Sequence, residues 1–152
     1  MLFRSPLECQ EPLGLGNSSI ADRQLSSSSQ LDDAHAAMRG RLNSKAAKDK
    51  GGSWSAASNN RSQWLEIDLR SQNINVTRVA TQGRHDSSQW VTKYKLQYSK
   101  DGVNFQYYKE PMKNAHKVAH IFSRTTILQF PFPIPSSHLT MNNIYLPNTE
   151  FP

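Results

Sequence analysis

The stretch YKLQYSKDGVNFQYY, residues 94–108, permits few folds. Tyr94, Leu96 and Tyr98 alternate with Lys95 and Gln97, the period of two expected of a strand with one buried and one wet face. Asp101-Gly102 interrupts the alternation with a tight-turn signal, because glycine tolerates the positive φ that hairpin turns demand. Val103, Phe105 and Tyr107 then resume it, so a hairpin is expected here. WLEIDL, residues 64–69, repeats the pattern: Leu65, Ile67 and Leu69 alternate with Glu66 and Asp68. Val76, Val79 and Thr81 mark a further strand whose imperfect spacing predicts a bulge. DDAHAAMRGRL has some helical propensity, but Gly40 interrupts it and no apolar stripe persists. Short strands separated by turns imply an all-β sandwich or barrel.

The 152 residues suit one domain, or one domain with a tail. Residues 1–53 are polar and turn-rich, residues 54–110 carry the strongest periodicity, and from residue 111 on ILQFPFPIPSSHL is apolar and proline-rich. A formal net charge of +6 suits anionic partners such as nucleic acid, acidic lipid, sulfated sugar or acidic protein, and equally a merely solvated basic surface. A nucleic-acid-binding protein is the alternative that charge alone suggests. It needs stacking aromatics on an open sheet face, whereas these aromatics alternate as core residues, so no nucleic acid is expected. The N-terminal MLFRSPLECQEPLG is broken by Arg4, Pro6 and Glu8 and does not read as a signal peptide. No stretch approaches the roughly 20 apolar residues of a transmembrane segment. The literal reading is cytosolic; it fails if the chain is part of a longer gene product.

Several phrases stand in a telling order: PLGLGNSSIADRQLSSSSQLD (12–32), GRLN (40–43), SWSAASNNRSQWLEIDL (53–69) and VTRVATQGRHDSSQWVTKYKLQYSKDGVNF (76–105). Together they resemble the discoidin domain, also called the coagulation-factor type C domain, best over residues 9–110. The resemblance implies a jelly-roll β-sandwich, extracellular as part of a larger protein. It implies no enzymatic activity and no cofactor, but binding of carbohydrate, anionic phospholipid or matrix protein such as collagen through loops at one end. Trp54 and Trp64 become large core anchors beside Leu65, Ile67, Leu69, Tyr94, Leu96 and Tyr98, and QWLEIDL a central strand. In the family an early cysteine pairs with one at the very end; Cys9 fills the first position and has no partner, being the sole cysteine. The family's closing strand is also missing, and SSHLTM stands where a tyrosine- and arginine-containing strand belongs. The expectation is therefore a leader at 1–8, a sandwich at 9–135 incomplete at its C-terminal end, and a divergent, disordered tail at 136–152. A truncated fragment that binds nothing is the corresponding alternative, since an absent strand exposes an edge and core.

Three loops would form the binding end: residues 30–40, 44–52 and 84–90. They carry Leu31, Asp32, His35, Met38, Arg39, Lys45, Lys48, Arg84, His85, Asp86 and Trp90. Apolar tips at Leu31 and Met38 beside Arg39, Lys45 and Lys48 suit peripheral contact with an anionic membrane. His35, Arg84 and His85 with Trp90 suit a sugar, which needs planar hydrogen-bonding groups and an aromatic platform, although Trp90 reads equally well as core. Asp32, Asp33 and Asp86 are a weak Ca²⁺ set. His116 and His120 have the spacing of a helical metal pair but lack the accompanying glutamate. No phosphate-binding glycine loop is present. Asn17, Asn60 and Asn75 head N-x-S/T triplets, the N-glycosylation acceptor pattern.

Overall fold

The computed structural model describes residues 12–70, 74–109, 118–120, 125–136 and 138–145. In chain order the strands are β1 (Leu25–Ser27), β2 (Trp64–Asp68), β3 (Ile74–Gln82), β4 (Lys93–Ser99), β5 (Gln106–Tyr107), β6 (Val118–His120), β7 (Thr125–Ser136) and β8 (His138–Tyr145). The larger sheet runs β1-β2-β8-β4-β5, with β6 also on β4; β3 and β7 form the second sheet. Every pairing is antiparallel. The helical propensity of residues 32–40 yields only two 3₁₀ turns, Asp33–His35 and Ala37–Arg39. The chain is an all-β sandwich of two antiparallel sheets among the described residues.

Register explains the core. Leu65 lies opposite Met141, which lies opposite Leu96; Ile67 lies opposite Leu139, which lies opposite Tyr98. These residues share the inward face. Leu139 and Leu96 meet Val76 and Ile134 from the second sheet, with Tyr108, Tyr98, Leu69 and Met141 packed around them. A second cluster joins Leu65 and Ile67 to Ile20, Leu25 and Ala37, and Trp54 packs against it. Tyr94, fully buried, gathers Trp54, Trp90, Val91 and Met141. Burial pushes its phenol well above the ordinary value. The expected irregularity in β3 is present: its register with β7 shifts between Val76 and Arg78.

Three expectations change. Residues 138–145, expected to lie in a tail, form β8, which is hydrogen-bonded to β2 on one side and β4 on the other. HLTM carries its own alternation: Leu139 is buried and Met141 packs inward, so the segment meets the physical requirement for a central strand without the family's phrase. Trp64 is not a core anchor. It has the parity of Glu66 and Asp68 and is half-buried on the outer face. The hairpin at Asp101-Gly102 is wider than a two-residue turn, since Tyr98 pairs with Gln106 across residues 99–105. Val103, expected in a strand, is 78% exposed there. The loop is instead organised by Asp101, whose carboxylate accepts from the Val103 and Asn104 amides (2.9 and 2.8 Å) and the Ser99 hydroxyl (2.8 Å). Gly102 sits at φ +72°, and a Cβ there would also meet the His138 ring at 2.8 Å. Cys9 and His116 lie outside the described residues; His120 is in a strand, not on a helix.

Candidate functional site

Strand direction collects the three loops. β2 and β4 both run antiparallel to the intervening β8, so the segments leading into Trp64 and Lys93 lie at the same end of the sandwich. β1, antiparallel to β2, delivers residues 30–40 to that end, and residues 84–90 connect β3 to β4 there. The Asp101 loop, beyond the other end of β4, is remote from it.

Backbone contacts draw the loops together. The Gly51 amide donates to the Ala34 carbonyl (2.9 Å), the Ser55 amide to the His35 carbonyl (3.2 Å), and the Leu31 amide to the Ser55 carbonyl (2.8 Å). The decisive residues are Gly51 and Gly52, which composition alone did not single out. A Cβ on Gly51 would lie 2.7 Å from Cδ2 and Nε2 of His35; one on Gly52 would lie 2.8 Å from the His85 Cβ and 3.0 Å from the Ala46 amide nitrogen. Neither glycine has a positive φ. They are needed for close approach: the loop of residues 44–52 slides between His35 on one side and His85 on the other.

The polar groups form two braced pairs. His35 Nδ1 lies 2.7 Å from Asp32 Oδ1, and the same oxygen accepts from the His35 amide at 3.0 Å. These hydrogen bonds hold the Asp32 carboxyl below its ordinary value. Arg84 meets Asp86 in a two-point fork, Nε to Oδ1 at 2.7 Å and Nη2 to Oδ2 at 3.0 Å, while Nη1 reaches Gln89 at 3.3 Å. That fork raises the Arg84 pKa and lowers that of Asp86. Adjacent Gly51 and Gly52, closed against His35 and His85 respectively, bring the two pairs to the same loop junction. The result is a cluster of mixed sign: the half-exposed carboxylate of Asp32 and the partly exposed Arg84 and Asp86, with exposed His85 and Asp33 in the same loops.

The other expected site residues are distributed unevenly. His35 is buried, and its Nε2 is shut away without a hydrogen-bond partner. It braces Asp32 and the loop junction rather than facing outward. Trp90 likewise packs against Tyr94 and is half-buried. Leu31 and Met38 are exposed, at 44% and 37%, and Lys45 and Lys48 are exposed as well. Arg39 is half-buried with its Nε enclosed. Asp32 is braced by His35 and Asp86 by Arg84, and no group of three or more acidic, histidine or cysteine residues among those described could hold a metal ion. Asn17, Asn60 and Asn75 are all exposed.

Comparison with known proteins agrees with this architecture. The F5/8 type C domain model matches residues 24–137. Mouse (Mus musculus) lactadherin is 38% identical over 107 residues, covering 67% of this chain and 23% of lactadherin. Discoidin II of Dictyostelium discoideum superposes with a TM-score of 0.70 at 26% identity, over 82% of this chain and half of that one. The family 32 CBM from C. perfringens NanJ, solved in complex with galactose, shares the fold at a TM-score of 0.58 and 17% identity, over 82% of this chain and 85% of its own. The chain thus spans about a quarter of the lactadherin sequence and half of discoidin II. With the fold and the family model in agreement, the chain belongs to the F5/8 type C domain family.

Proposed function

We propose that this chain is a non-enzymatic extracellular binding module that recognises a carbohydrate at the junction of residues 30–40, 44–52 and 84–90. The observation that carries the reading is the braced, mixed-sign cluster of Asp32, Arg84 and Asp86. A neutral sugar presents hydroxyls that both donate and accept. Carboxylates serve as acceptors and a planar guanidinium as a donor, and bracing lowers the entropy lost on binding. The galactose complex of the structurally similar CBM supports a hexose as the first ligand to test. Asp32, Asp33 and Asp86 oppose an anionic headgroup at this spot. The second reading, peripheral attachment to an anionic membrane, rests on exposed Leu31 and Met38 near Lys45 and Lys48. Binding to immobilised galactosides, competed by free galactose and lost in Arg84→Gln, is the expected result. Failure of every free sugar to compete, together with salt-sensitive adsorption to phosphatidylserine vesicles, would reject the carbohydrate reading for the membrane one.

A further inference from the structure

Between buried Ala56 and buried Gln63, the six residues 57–62, ASNNRS, are all exposed. Both ends of this loop are pinned: the Ala57 amide donates to the Ser29 hydroxyl at 3.1 Å, and the Gln63 side chain accepts from the Ser28 hydroxyl at 2.8 Å and from that of Ser29. At its tip Asn60 Oδ1 accepts from the Ser62 amide and from Gln63 Nε2, each at 2.9 Å, while Asn60 Nδ2 donates to the Ser58 hydroxyl at 2.8 Å. Asn60-Arg61-Ser62 is an acceptor triplet.

We propose that Asn60 carries an N-linked glycan at the rim of the binding end, an inference that rests on the extracellular reading above. The step is a group transfer from a lipid-linked oligosaccharide diphosphate. The Asn60 amide nitrogen forms a bond to the sugar C1, the C1–oxygen bond to the diphosphate breaks, and the amide loses one proton as the lipid diphosphate departs. Two features favour this triplet over Asn75-Val76-Thr77, and Asn17-Ser18-Ser19 shares the local turn, its Ser19 amide donating to Asn17 Oδ1 at 3.1 Å. The Asn60–Ser62 turn is local, spanning two residues, so it is available to the chain before the sheets close. In the finished fold the surrounding run is exposed, so the attached sugar displaces no packed side chain. Asn75-Val76-Thr77 differs on the first count: its residues belong to β3, and Val76 is only 3% exposed in the core between the sheets. Position adds consequence. The loop is tied to Ser28 and Ser29 at the end of β1, just before residues 30–40, and it follows Ser55, whose amide donates to the His35 carbonyl.

The test is to express the full chain behind a secretion leader in animal cells and to digest it with peptide N-glycosidase in heavy-oxygen water. Released sites are then read as isotope-labelled deamidation by mass spectrometry. Labelling at position 60, abolished in Asn60→Gln and in Ser62→Ala, is expected. An unlabelled Asn60 in the parent chain, or labelling that persists in Ser62→Ala, overturns the proposal. Because transfer precedes folding, variants retained in the cell are scored from the cell pellet. Galactose competition is measured separately, so a module that binds no sugar yet is labelled at Asn60 refutes the proposed ligand and leaves this inference standing.

Discussion

Replacing Leu139 with alanine tests the least expected element of the fold. Leu139 is 6% exposed and sits on β8 between Ile67 of β2 and Tyr98 of β4, facing Val76 and Ile134 of the other sheet. Removing a buried leucine side chain forfeits its transfer free energy and leaves a cavity, together about 2–5 kcal/mol. Here the cavity walls are strands from both sheets, tied by ladder hydrogen bonds, which limits collapse and favours the upper half of that range. Against a total stability of about 5–15 kcal/mol the loss is severe, and in a chain of this size it lowers the melting temperature by roughly 5–20 °C. The assay is urea and thermal unfolding followed by circular dichroism, with an unchanged urea slope showing that the loss is one of stability. Val103→Ala, at a site 78% exposed, is the control and shifts stability by no more than about 0.5 kcal/mol. If Leu139→Ala behaves like that control, residues 138–145 are not the central strand and the packing argument is wrong.

Four further outcomes are expected. Gly51→Ala places a Cβ 2.7 Å from the His35 ring and 2.9 Å from the Ala34 carbonyl, so overpacking costs about 1–3 kcal/mol and sugar binding falls with it; unchanged binding and stability would refute the close-approach role. Arg84→Lys keeps the charge but not the two-point fork to Asp86, and titration calorimetry should show sugar affinity reduced by about tenfold, the equivalent of one charge-assisted hydrogen bond, with the melting temperature nearly unchanged. Hydrogen bonds from the Asn104 and Val103 amides hold Asp101 below its ordinary value of 3.8, so its stabilisation is present above that pH and is lost as the pH falls through the lower folded-state value; Asp101→Asn should flatten the acid limb of the unfolding profile. Glu66 has the opposite sign: burial raises its pKa above 4.5, the folded state binds its proton more tightly, and stability falls as the pH rises from 4.5 through the folded-state value. Glu66→Gln should remove that decline, and a pH profile identical to the parent would count against it.

Alternation along a single strand is a local property, and it was legible without a structure. It placed β2, β4 and the irregular β3, because the side chains of a strand must sort between apolar and aqueous faces two residues at a time. The order of phrases from Pro12 to Phe105 likewise carried the family. Parity was harder. Trp64 is apolar and next to Leu65, but one residue of offset reverses a side chain's face, and only pairing with β8 shows which set points inward. The same holds for HLTM: four residues of alternation are too few to distinguish a central strand from a tail until β2 and β4 are seen on either side. The site depends even more on tertiary structure. The sequence named Asp32, His35, Arg84 and Asp86 as loop residues, yet only the folded chain decided that His35 turns inward to brace Asp32 while Arg84 and Asp86 remain partly open. It also revealed why Gly51 and Gly52 stand where they do. A glycine with ordinary backbone angles signals nothing locally; its role is the space its missing side chain leaves for a residue many positions away.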